Sequence, residues 1–89
     1  MRIASPRDLG LYVRDRRTQL GMTQADLAGA AGVSRRWLLD LESGKPTAQI
    51  GLVLRTLQAL GLVVEAQPED EALLADLDEL LRDLGGPTP

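Results

Sequence analysis

Arg35 and Arg36 follow Ser34 directly, and in this 89-residue chain they are the side chains best equipped to act on another molecule. A guanidinium is a rigid planar fork of donors that matches a phosphate or the acceptor edge of guanine. Other polar groups cluster nearby in sequence. The Gln24 amide and the backbone N–H groups beside it can together hold a phosphate, Leu39 and Asp40 share the outward side with the arginines, and Ser43 and Lys45 follow at once. Each has a plainer use: Gln24 as a cap, Lys45 as a solvated loop residue, the arginines as the wet side of a helical hairpin.

Catalytic chemistry has little to work with. Histidine and cysteine are absent, which removes the usual zinc sets and disulfide staples. Ser5, Ser34 and Ser43 stand where caps or turns want a hydroxyl, and Ser43 with Lys45 makes no credible dyad. The tail carboxylates read as the polar side of a helix. The expectation is a chain that is not an enzyme, with no metal and no cofactor.

The elements that must position the arginines lie between Thr23 and Glu42. Thr23 with Asp26 three residues on is a capping box, and Ala25, Leu27, Ala28 and Ala31 supply the inward side of a first short helix. Gly32 suits its end because a residue without a Cβ reaches left-handed backbone angles cheaply. Ser34 caps a second helix starting at Arg35. There Leu38 and Leu41 face inward, leaving Arg35, Arg36, Leu39 and Asp40 outside. Bases are contacted from the N-terminal end of the second helix of such a pair, so the arrangement suits a reader of double-stranded DNA.

Thr23-Gln24, Leu27-Ala28, Gly32-Val33-Ser34, Leu41-Glu42 and Ser43-Gly44 together resemble the Cro and lambda-repressor (XRE) type of helix-turn-helix, with matching spacing and no gap. The resemblance implies that Gln24 contacts phosphate and that Arg17 pairs with Glu42, fixing the first helix against the third. Asp40 departs from the wider family, where a basic or amide residue is common. Trp37 is also unusual there; core packing, sugar-phosphate contact and a partner contact are its three possible uses.

The formal net charge of −3 conceals a division. Residues 1–64 carry nine Arg or Lys against five Asp or Glu, a formal +4, whereas residues 65–89 carry one against eight, −7. That pattern suits a DNA-facing body with an acidic appendage, or a body with a merely solvated acidic helix. No apolar run reaches membrane-span length and the start carries no signal-peptide core, so a cytoplasmic, nucleoid-associated protein is expected, with no membrane partner. A core this small usually needs help, which favours a homodimer.

The remaining elements follow in order. Ser5-Pro6-Arg7-Asp8 starts a helix whose inward residues are Leu9, Tyr12, Val13 and Leu20, closed by Gly21. Ala48 to Leu60 carries Ile50, Val53, Leu54, Leu57 and Leu60 at helical spacing and should close the core. Leu62, Val63, Val64, Glu65 and Ala66 read as one strand between Gly61 and Pro68, paired with its copy in a second chain, with an intrachain pairing or a frayed linker as alternatives. Leu73, Leu77, Leu80 and Leu84 mark an acidic amphipathic helix for a protein partner, for the dimer mate, or for neither.

The fold class is all-α: four core helices in a helix-turn-helix domain with a short dimerising strand over 1–66, then the acidic leucine-rich helix with a disordered end over 67–89. Ile3-Ala4-Ser5-Pro6 and Gly61-Leu62-Val63-Val64-Glu65 narrow the resemblance to HipB-like antitoxins. It implies a two-fold dimer on a palindromic operator, repression of its own operon and a HipA-type kinase partner. A stand-alone repressor and a protein-binding module acting through the tail are the rival functions.

Overall fold

The computed structural model describes residues 2–68 and 71–83, and its helices follow from local capping. α1 (Pro6–Gln19) begins where the Ser5 hydroxyl accepts from the Asp8 N–H at 3.1 Å. α2 (Gln24–Ala31) has both halves of its capping box: the Thr23 hydroxyl accepts from the Asp26 N–H at 3.0 Å, and the Asp26 carboxylate accepts from the Thr23 N–H at 2.9 Å. It stops at Gly32, whose φ of 70° is left-handed. α3 (Arg35–Glu42) is capped by Ser34, α4 (Ile50–Ala59) starts without a side-chain cap, and α5 is Glu71–Asp83.

α1 packs on α3, and α2 packs on both α3 and α4. Between them lie Val13, Leu27, Ala28, Leu38, Leu41, Val53, Leu57 and Leu60, all buried. Leu27 and Leu38 are fully enclosed, and burying a leucine stabilises by roughly 1.5–3 kcal/mol. Trp37 packs against this cluster from its edge.

Several sequence expectations need correction. No strand occurs among the described residues: Leu62 to Ala66 form no ladder, because a strand needs a neighbour and this single chain supplies none. α4 begins at Ile50 rather than Ala48, whose side chain packs on the core from the preceding loop. Ile50 is 71% exposed and Leu54 is 41% exposed, since one chain covers only the stripe through Val53, Leu57 and Leu60. Leu20 and Ala25 are exposed as well, at the ends of helices whose inward faces are already filled.

In α5 the side chains of residues 76–83 are exposed, Leu77 and Leu80 included. Leu84, the side chain of Leu73 and the final Gly85-Gly86-Pro87-Thr88-Pro89 lie outside the described residues. No helix among the described residues is long and apolar enough to cross a membrane.

Candidate nucleic-acid interface

α3 is anchored on its inner face and open on its outer one. Leu38 and Leu41 are buried, whereas Arg35 and Arg36 are exposed at the first turn and Leu39 is 40% exposed. The cap explains where the arginines lie. Ser34 stops the helix from running backward and accepts from the Trp37 N–H at 3.0 Å, so the first two helical positions fall to Arg35 and Arg36.

The far end of α3 is held by Glu42. Its carboxylate receives two parallel bonds from Arg17, Nε to Oε2 at 2.9 Å and Nη2 to Oε1 at 2.9 Å. The third guanidinium nitrogen, Nη1, donates to the Met22 carbonyl at 2.9 Å. The hydrogen bond to Glu42, aided by its negative charge and opposed by burial, raises the Arg17 pKa above its ordinary value. Gln24 joins this network, its Nε2 donating to Glu42 Oε1 over a long 3.5 Å. One amide proton of Gln24 is thus turned toward α3, and the other is left for an external acceptor.

Glycine does comparable positioning work that the sequence reading passed over. A Cβ on Gly10 would collide with the Leu41 carbonyl oxygen and lie 2.8 Å from that of Glu42, so only glycine lets α1 approach α3 this closely. A glycine within an amphipathic helix pattern was the available signal. Arg16 and Arg55 were also missed. Arg16 Nε donates to the Leu60 carbonyl at 3.1 Å, tying α1 to the end of α4, and Arg55 Nη2 donates to the Gly32 carbonyl at 2.9 Å, tying α4 to the end of α2.

The remaining polar groups are unequal in readiness. The Ser34 hydroxyl accepts from the backbone and keeps its proton to donate. Ser43 donates its own to the Leu39 carbonyl at 2.8 Å and must surrender that bond to meet a phosphate. Asp40 is bracketed by two cations, Arg36 Nε at 3.5 Å from Oδ1 and Lys45 Nζ at 3.6 Å from Oδ2. Among the described residues no group of acidic side chains could hold a metal ion.

The surface therefore offers donors in a row along one helix and the turn after it, backed by a bidentate lock. That suits a polyanion with acceptor edges, which is a duplex.

Comparisons with known proteins agree with this geometry. Residues 8–74 match the family model of the helix-turn-helix domain. Over 64 residues the chain is 52% identical to the uncharacterized HTH-type transcriptional regulator y4mF of Sinorhizobium fredii, covering 72% of this chain and 84% of that one. An uncharacterized HTH-type transcriptional regulator of Methanothermobacter thermautotrophicus is 39% identical over 49 residues, 55% of this chain and 71% of that one. Among solved structures, a HipB variant in complex with the O2 20-mer superposes with a TM-score of 0.73 at 26% identity, covering 79% of this chain and 97% of that one. HipB in the HipA-HipB-O2-O3 complex gives the same TM-score at 24% identity, a likeness of fold alone. With its capped helix pair, its exposed arginines and these relatives, the chain belongs to the helix-turn-helix family of transcriptional regulators.

Proposed function

We propose that this protein is a HipB-like repressor that binds a palindromic operator as a homodimer, restrains expression of its own operon and pairs with a HipA-type kinase. The observation that carries the reading is the pair Arg35 and Arg36, exposed at the head of an α3 whose tail is clamped by Arg17 and Glu42. In such a dimer the two copies of α3 enter successive major grooves about 34 Å apart. Gln24, Ser34, Ser43 and Lys45 contact the phosphate backbone, and Leu39 and Asp40 border the bases. The HipB variant in complex with the O2 20-mer, a similar structure, favours the DNA half of the reading. The kinase half rests on the HipA-HipB-O2-O3 complex and on resemblance.

Dimerisation has its own support. Ile3, Tyr12, Ile50, Leu54, Val63 and Val64 line an open groove of about 380 Å³. A second copy would cover this apolar surface while Leu62, Val63, Val64 and Glu65 of each chain pair across the axis and satisfy their backbone groups. The exposed Leu77 and Leu80 of α5 supply a face for a protein partner.

Mobility shift on the DNA upstream of its own gene, at two salt concentrations and with or without the neighbouring gene product, tests the whole. Salt-sensitive binding strengthened or supershifted by the neighbour is expected. Binding indifferent to the neighbour would reduce the reading to a stand-alone repressor, and no binding at low salt would remove the DNA half.

A further inference from the structure

Asp40 is a carboxylate on the very surface that should meet a polyanion. Its side chain is 27% exposed, against 79% for Arg36 and 57% for Lys45, so the acid is the more enclosed member of both pairs. Arg36 reaches it from one turn earlier on α3, and Lys45 reaches it from the turn after the helix. Arg35 has no ion-pair partner among the described residues. The charges of the interface are thus divided: one arginine is free, and two cations are occupied by an internal anion.

We infer that Asp40 is a specificity-determining residue that holds Arg36 and Lys45 away from phosphate on arbitrary DNA and releases them only where base contacts repay the exchange. The inference rests on the DNA-binding reading above. On a random duplex the two cations gain only phosphate contacts, must first leave Asp40, and leave its charge facing the backbone. On a matching site Arg36 gains a bidentate guanine contact, and Asp40 can itself accept from a cytosine amino group, so the internal pairs are replaced by better ones. Each exposed pair is weak, but two pairs plus repulsion of phosphate amount to roughly a tenfold handicap on non-specific binding.

The test uses the full chain, the DNA fragment upstream of its own gene, and a scrambled duplex of the same length and base composition. Asp40→Asn keeps shape and removes the charge, and Asp15→Asn, an exposed change on α1, controls for net charge. Asp40→Asn should bind the scrambled duplex about tenfold tighter, with a steeper salt dependence as two further cations meet phosphate. It should also shrink the ratio between upstream and scrambled DNA, and Asp15→Asn should do neither to a comparable degree. In an Arg36→Ala, Lys45→Ala background the Asp40→Asn effect should shrink to the carboxylate's own repulsion of phosphate, since the cycle isolates the coupling. Tightening no greater than that of Asp15→Asn, or tightening undiminished by loss of both cations, overturns the proposal while leaving DNA binding intact. A folded wild-type protein that binds neither duplex at low salt overturns the DNA reading itself, and this proposal with it.

Discussion

The Arg17 guanidinium grips the Glu42 carboxylate through two bonds of 2.9 Å, joining residues 25 apart in sequence and locking the end of α1 to the end of α3. The side chains are only 14% and 5% exposed, so neither charge has much water to fall back on. Arg17→Ala should destabilise by about 2–4 kcal/mol, because an uncompensated carboxylate is left behind. The paired change Arg17→Met, Glu42→Leu should cost far less. Urea unfolding of the three proteins checks this; a double variant as unstable as Arg17→Ala would show that the pair itself supplies net stability.

Gly10 and Gly29 are both helical glycines with opposite expectations. A methyl at Gly10 meets the carbonyls of Leu41 and Glu42, whereas one at Gly29 meets nothing within 4 Å. Gly10→Ala should lower stability by about 1–3 kcal/mol through overpacking. Gly29→Ala should raise it by roughly 0.5–1 kcal/mol through helix propensity. Thermal melts of equal midpoint would contradict the close approach of α1 to α3.

Asp26 should contribute to acid sensitivity. The Thr23 N–H, and secondarily its hydroxyl, hold the Asp26 carboxyl below its ordinary value of 3.8. A folded-state pKa lower than the unfolded one adds stability that is complete above the ordinary value and is lost as pH falls through it toward the folded one. Asp26→Asn should therefore have a shallower fall in Tm on acidification than the parent. Parallel curves would show that the cap charge is irrelevant.

At the interface, Arg36→Ala should cost about 1–3 kcal/mol of operator affinity if the side chain forks onto a guanine. The double change Arg35→Ala, Arg36→Ala should abolish preference for the upstream fragment in a titration. Unchanged binding by the double variant would eliminate α3 as the reading element.

The proposed dimer face can be probed at Val63 and Val64, which are 85% and 59% exposed in the single chain. Val63→Glu with Val64→Glu should leave a folded monomer in sedimentation, because the second copy would have to bury both charges. A persistent dimer would place the interface elsewhere.

Much of this protein is written in short-range terms that a linear reading can follow. The Ser5, Thr23 and Ser34 caps, the left-handed Gly32 and the inward pair Leu38 and Leu41 each depend on groups within a few residues, so local sequence suffices to determine α1, α2, α3 and the exposed position of Arg35 and Arg36. Resemblance, not spacing, pointed to Arg17 and Glu42 as partners. The tertiary structure alone decided what depends on helix crossings: the close approach at Gly10, the reach of Arg16 to the Leu60 carbonyl and of Arg55 to that of Gly32, and the seating of Lys45 against Asp40. It also decided that Ile50 and Leu54, apolar and correctly spaced, stay outside, because the single chain buries only one stripe of a helix that is apolar on two. Periodicity says which side of a helix is apolar; only packing says how much of that side finds a neighbour.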